Sequence, residues 1–290
     1  MSKAIKTVFD QTVTTASDAL DKANMAWLAE ASDLKIELTD KVSTLKKAII
    51  RSDTKEELGI VGKKYQIIQN SEAFTLFDII CENNNAHYKS AIEVDDGRKV
   101  VLEAELNAEE EIVPGEIVKK GFYLINGFDG MHGLHAYFIL KALKSNIILR
   151  APSFNKGKTS NGISLKHTKN VDAKIKESFE VLNVSAAYFD KFIEEAKNLS
   201  TKMVEKAVVD TFLQTLIDGD DSKVSERKRS EIKSLFESSE TQLAWELYCS
   251  VVKYFDRSAG KSDDKRLASN LFGSFCLIKE KAFKLLIDEI

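Results

Sequence analysis

The sequence predicts an α+β protein: a sheet-bearing part over residues 1–176, with an antiparallel or mixed sheet and one packed helix, followed by a helical part over residues 177–290. Two observations carry this. Before residue 150, apolar residues alternate with polar ones between turn signals, as strands half-buried on one face require. After the loop at 151–162 they recur at spacings of three and four almost to the C-terminus, the period of a helix with one face in a core.

Taken in order, Leu34, Ile36 and Leu38 alternate and a polar turn leads to Ala48-Ile49-Ile50, which reads as two paired strands, with a third in LGIVGKKYQIIQ. Ser71 reads as the N-cap of a helix, with Glu72 in the first turn and Ala73, Phe74, Phe77, Ile80 and Cys81 on one face before the Asn83-Asn84-Asn85 stop. YKSAIEV and RKVVLEAEL flank Asp95-Asp96-Gly97, a hairpin signal, because an Asp-Gly pair accepts positive φ readily. The next strands are IVKKGFYLIN and the LHAYFILKALKSNIIL stretch, with the glycine-rich Gly127-Phe128-Asp129-Gly130-Met131-His132-Gly133 as a loop between them. A short strand, ISLKHT, precedes the helices. Their faces are Tyr188 to Leu199, Met203 to Leu216 and Leu243 to Phe255, with a last helix at 275–287 and an exposed connection at 218–230. Trp245, Tyr248, Phe255, Phe272 and Phe275 fall at core positions of this pattern, and Trp27 reads as either core or an oligomer contact.

Composition excludes several classes. At 43% hydrophobic and 30% charged, the chain is neither disordered nor collagen-like. It has no apolar run long enough for a membrane helix, and its start lacks the apolar core of a signal peptide, so no membrane partner and a cytoplasmic location are expected. Cys81, Cys249 and Cys276 are odd in number and unpaired in spacing, which fits a reducing compartment and excludes a C-x-x-C zinc knuckle. The net charge of −3 conceals a division: −8 over residues 1–116, +9 over 117–176 and −4 over 177–290.

Arg51-Ser52-Asp53-Thr54, LGIVGKKYQIIQNSEAF, YLINGFDG, LKHTKNV, LAWELYCSVVKYFD and LFGSFCLIKEKAF follow one another in the order found in the phage/plasmid-like protein family, a family of unknown function (family 932). The chain resembles that family over roughly residues 20–287. It departs from it at Lys144, where the family commonly has Cys, and at Arg257, where it often has His, so the resemblance carries no thiol or histidine chemistry to those positions. It implies a phage or plasmid context, in the host cytoplasm, and no reaction. By analogy the family is similar to phage single-strand annealing proteins, whose β-β-β-α cores assemble around single-stranded DNA.

Asp129, His132 and His135 stand at metal-like spacing, with His167 from a later strand able to join them, but the signal is weak: an ordinary glycine-rich turn is the simpler reading of the loop, and His135 heads an apolar strand where a hydrogen bond accounts for it. No G-x-S-x-G elbow or phosphate-binding loop is present; Asn155-Lys156-Gly157-Lys158-Thr159 lacks the leading glycine. Glu103 and Glu105 read as a solvated strand face, and Asp95 and Asp96 as a turn. No catalytic residue and no cofactor are expected.

The basic segment is the strongest signal. Between Lys141 and Lys176 lie nine cations against one acid, Asp172. The candidate nucleic-acid-binding residues are Lys141, Lys144, Arg150, Phe154, Lys156, Lys158, Lys166, His167 and Lys169, with cations for phosphates and Phe154 or Tyr137 as a stacking platform for bases. The cluster Arg227-Lys228-Arg229, beside Glu226 and Glu231, reads as a solvated helix start outside this site. The leading expectation is a non-enzymatic phage or plasmid protein that binds single-stranded DNA and promotes annealing and recombination as a homo-oligomer. Opposite charges on the N-terminal and central segments would allow head-to-tail contacts. The alternatives are a protein-interaction module for counter-defence or host takeover, and a metal-dependent nuclease.

Overall fold

The computed structural model describes residues 5–10, 12–83, 86–143, 147–150, 162–167, 185–217, 222–258, 269 and 273–289. Their fold is α+β, with antiparallel sheets and a helical C-terminal region. The chain divides into two compact units: residues 1–108, 120–138 and 162–185 form the first, and 109–119, 139–161 and 186–290 the second. Residues 109–119 and 139–161, from the strand-rich half of the sequence, thus group with the helices.

The strands are β1 (Ile5–Val8), β2 (Ala29–Ile36), β3 (Lys41–Arg51), β4 (Glu57–Gly62), β5 (Ala86–Val94), β6 (Lys99–Val113), β7 (Glu116–Gly127), β8 (Leu134–Ala142), β9 (Ile147–Arg150) and β10 (Gly162–Leu165). Strands β2-β3-β4 make one sheet; the other runs β1-β5-β6-β7-β8-β10, with β9 also on β8. The β5–β6 hairpin closes as its sequence predicts, with φ of 53° at Asp95, 55° at Asp96 and 91° at Gly97. The LHAYFILKALKSNIIL stretch divides in two: β9 folds back antiparallel on β8, pairing Ile139 with Arg150 and Ala142 with Ile147. β10 pairs with the earlier half of β8, Leu165 opposite Leu134.

The helix of unit 1, α2 (Asn70–Asn83), begins before the expected Ser71 cap. The Gln69 N–H donates to the Glu72 carboxylate (2.9 Å) while the Gln69 carbonyl accepts from the Ala73 N–H (2.9 Å), so Gln69 and Glu72 close the helix end as half of a capping box. A short helix, α1 (Ala16–Lys22), and strand β1 were not signalled by period. Asp78 on α2 joins these pieces, accepting from the Ala16 N–H (2.7 Å) and the Tyr88 hydroxyl of β5 (2.8 Å). The core around them holds Phe74, Tyr88, Phe122, Tyr123 and Phe128, all fully buried.

The reading of Glu103 and Glu105 as a solvated face is corrected: both are buried, because β6 lies between β5 and β7 and is covered on both faces from Lys99 to Glu105. The Ser90 hydroxyl donates to one Glu103 carboxylate oxygen (2.6 Å), and Lys6 lies 3.9 Å from the same oxygen.

Unit 2 contains α3 (Ser185–Leu199), α4 (Lys206–Leu216), α5 (Lys223–Glu237), α6 (Ala244–Ser258) and α7 (Ser274–Glu289). The expected connection at 218–230 is corrected by α5. Ser222 caps it, accepting from the Ser225 N–H (3.3 Å), and Ile232 and Phe236 form a narrow buried stripe behind a charged first half. Arg227 pairs with Glu231 at 3.5 Å, as a solvated helix start would. Trp245, Tyr248 and Phe255 are buried as the pattern predicts and Phe275 is half-buried; Phe272 lies outside the described residues. Phe283 stacks on Phe192 with ring centroids 4.4 Å apart and meets Tyr248 edge-on at 5.1 Å, an aromatic centre for the helices. Trp27 is buried in unit 1 against Phe128, with the Arg51 guanidinium 4.5 Å above its ring.

Candidate nucleic-acid interface

Several motifs that are far apart in sequence meet at one junction of unit 1. The loop after β7 approaches β4 so closely that a Cβ on Gly59 would lie 2.7 Å from the Asp129 Cα, and a Cβ on Gly133 would run into the Leu165 carbonyl. The Tyr65 hydroxyl donates to the Gly127 carbonyl (3.1 Å). The Asn126 amide donates to Ile68 (3.0 Å) and to the Asn70 side chain (3.1 Å). The Gln66 N–H donates to the His167 carbonyl (3.2 Å), and the Tyr65 and His167 rings stack at 4.8 Å. KKYQ, NGFDG and LKH are therefore three walls of one structure.

Asp129 organises the loop. One carboxylate oxygen accepts from the Met131 and His132 N–H groups (2.9 and 2.8 Å); the other lies 2.7 Å from His132 Nδ1 and 3.8 Å from Lys99 Nζ. These hydrogen bonds to the charged form hold its carboxyl down at about 2 against the opposing effect of burial. This is the arrangement of a turn. His135 faces Tyr137 instead, with rings stacked at 5.7 Å and the hydroxyl 3.2 Å from Nδ1. Among the described residues no group of three or more His, Cys, Asp or Glu is placed to hold a metal ion.

The candidate binding residues separate into three sets. Lys144, Phe154, Lys156, Lys158 and Lys169 lie outside the described residues. Arg150 and His167 are turned inward. Arg150 pairs with the buried Glu280 at 2.5 Å, which commits its charge to a carboxylate rather than a phosphate. His167 is buried with neither ring nitrogen hydrogen-bonded, and desolvation lowers its pKa to about 4. Tyr137 is likewise buried beside His135, so no base stacks on it. Lys141 is half-buried, whereas Lys166 is exposed.

The junction adds a cation that the charge count over 117–176 left out. The Gln66–His167 hydrogen bond places Lys64 two residues to one side and Lys166 one residue to the other, both exposed and with no ion pair among the described residues. The signal was the Lys63-Lys64 pair inside an otherwise acidic segment. Lys47 lies against the same turn, donating to the Tyr65 carbonyl (2.9 Å).

Unit 2 has a cleft of about 740 Å³ between the β6–β7 turn, the end of α5 and one face of α6, lined by Glu116, Ser238, Trp245, Cys249, Lys253 and Arg257 among others. Sequence period marked Trp245 as core and did not reveal this opening. Burial pushes the Cys81 thiol up to about 12 and Cys276 to about 11, and Cys249 higher still, so none of the three is a thiolate nucleophile at neutral pH.

Residues 57–272, about three quarters of the chain, match the family model described as Domain of unknown function (DUF932). No curated protein and no solved structure matches the chain.

Proposed function

The chain belongs to the DUF932 family, and we propose that it binds single-stranded DNA without catalysing a reaction and promotes strand annealing as a homo-oligomer, in a phage or plasmid context within the host cytoplasm. The observation that carries this reading is the pair of exposed cations Lys64 and Lys166, on the two segments joined by the Gln66–His167 hydrogen bond, at the edge of a stretch holding nine cations and one acid. Cations so placed contact phosphates, which supports affinity without base specificity. The inward turn of Arg150 and His167 moves the proposed contacts to Lys64, Lys141, Lys144, Lys156, Lys158, Lys166 and Lys169, with Phe154 as the stacking residue. The DUF932 match names no activity, so the chemistry of these cations is the whole support for the reading.

Fluorescence anisotropy of a labelled oligonucleotide over a salt series tests it. For single strands the slope of log affinity against log salt is about −0.7 per phosphate neutralised. Changing Lys64 and Lys166 together to Gln should therefore flatten the slope by about 1.4 and weaken binding equally for different sequences. Binding that is independent of salt would overturn the reading.

A further inference from the structure

The cleft of unit 2, about 740 Å³, falls in the range of small-molecule sites, roughly 300–1,000 Å³, and all its walls belong to that unit. One side of α6 lines it with Glu246, Lys253 and Arg257. Steps of seven and four residues return a helix to the same side within about 40°, so the three charges stand in a row. Along the helix axis about 10 Å separates Glu246 from Lys253, and about 6 Å separates Lys253 from Arg257.

Glu246 and Lys253 are half-buried and Arg257 is exposed, and their side chains have no ion pair or hydrogen bond among the described residues. Burial raises the pKa of the Cys249 thiol, Lys253 lowers it, and Glu116 and Glu246 raise it, so charges of both signs act on one point of the wall. The other acids of the lining are Glu116, which is buried, and Glu240, on the connection that enters α6 at its Glu246 end. Glu240 and Glu246 make the cleft acidic towards the start of α6; Lys253 and Arg257 make it basic towards the end. Leu235, Leu243 and Trp245 add apolar surface, and so does Pro114 in the β6–β7 turn, where Gly115 takes a φ of 80°.

A charge held half out of water and unpaired is short of a partner, and this row specifies one. Two cations one helical turn apart call for a dianion, and a phosphate monoester, at about −1.5 to −2 near neutral pH, supplies it where a carboxylate supplies half as much. Glu246 only accepts hydrogen bonds, so it calls for N–H donors about 10 Å from that phosphate. An α-amino acid, with a single carbon between its charges, is too short. A polyamine lacks the anion, and inorganic phosphate lacks the donors. A nucleoside monophosphate has the length, the dianion and a planar base for the apolar wall. Among the common bases guanine presents two adjacent N–H donors on one edge, which a single carboxylate accepts together.

We propose that this cleft binds a guanine nucleoside monophosphate, with its phosphate on Lys253 and Arg257 and the N–H edge of its base on Glu246. Isothermal titration calorimetry of the full-length protein, free of nucleic acid, tests this. Guanosine 5′-monophosphate should bind saturably, one molecule per chain. Guanosine and inorganic phosphate, each lacking one end, should bind about tenfold more weakly or worse, and inosine 5′-monophosphate, which lacks only the amino group, should lose a similar factor.

Lys253→Met with Arg257→Gln should weaken the guanine nucleotide about tenfold or more and leave guanosine unchanged. Glu246→Gln should bring the guanine nucleotide down to the level of the inosine one. None of these changes removes a side-chain partner among the described residues, and an unchanged urea midpoint verifies the fold. No saturable binding at millimolar nucleotide overturns the proposal, as does binding that the folded Lys253→Met, Arg257→Gln protein retains in full. A tripeptide with free ends that binds where the nucleotide does not would assign the cleft to peptide and overturn it equally. Lys64→Gln with Lys166→Gln, the variant that tests DNA binding, should bind the nucleotide as the parent does; loss there would move the nucleotide to unit 1 and refute the cleft. The two readings therefore stand or fall separately.

Discussion

Replacing His167 with Phe should remove a pH-dependent component of the stability of unit 1. The imidazole is buried against Tyr65, and desolvation lowers its pKa from 6.5 to about 4; the Gln66 backbone opposes this, His135 pushes in the same direction and Asp129 in the opposite one. The unfolded chain takes up a proton near pH 6.5, whereas the folded one resists until about pH 4. Between these values the unfolded state holds more protons, so stability is complete above pH 6.5 and falls as the pH drops towards 4. At 1.36 kcal/mol per pKa unit the loss is about 3 kcal/mol. Phe preserves the stack on Tyr65 and has no proton to bind. Urea unfolding followed by Trp27 fluorescence in a Trp245→Phe background isolates unit 1. Between pH 7 and pH 4.5 the parent should lose between about 2 and 3 kcal/mol more than the His167→Phe protein. Asp129, held at about 2, loses its contribution only below pH 4 and stays outside this window. Parallel pH curves for the two proteins would refute the reasoning.

Changing Lys156, Lys158, Lys166 and Lys169 together to Glu should abolish oligonucleotide binding in anisotropy, while Arg227, Lys228 and Arg229 changed to Glu should bind nearly as the parent does. Arg51→Met leaves Glu93, 2.6 Å from the guanidinium and buried, without its charge partner; a loss of about 3–5 kcal/mol should appear in the urea midpoint. Gly59→Ala forces a methyl group against the Asp129 backbone and should cost about 1–3 kcal/mol, measured the same way. Purified protein should leave labelled oligonucleotides uncut with divalent metal ions present, and cleavage lost on Asp129→Ala would show the glycine loop to be catalytic after all.

The β5–β6 hairpin and helices α3, α4, α6 and α7 were legible because each writes its period and its stop in neighbouring residues. Helix α5 was hidden because Ile232, Leu235 and Phe236 are its only clear stripe and the charges of its first half resemble a connection. β1, four residues with no alternation of burial, shows no period to read. Glu103 and Glu105 misled for a different reason: alternation identifies a strand's faces but not whether a second layer covers the polar one, and in β6 both faces are covered. Position within a sheet is a non-local property that a single strand's composition does not contain.

The candidate site was legible as charge and illegible as geometry. Counting cations found Lys166 and could not distinguish it from Arg150, because only the fold places Glu280, 130 residues away in sequence, against one of them. The motifs that carry the family resemblance have the opposite character. Arg51 grips Asp53 at 2.7 Å and Glu93 at 2.6 Å, Tyr65 holds Gly127, Asn126 holds Asn70, and Asp129 closes its own loop. The partners of these groups lie inside unit 1, which makes the groups the frame of a junction rather than its chemistry. What it leaves exposed are Lys64 and Lys166, on the two segments that the Gln66–His167 hydrogen bond clamps together, and on this argument an anion would be met by the residues beside the motifs rather than by the motifs themselves.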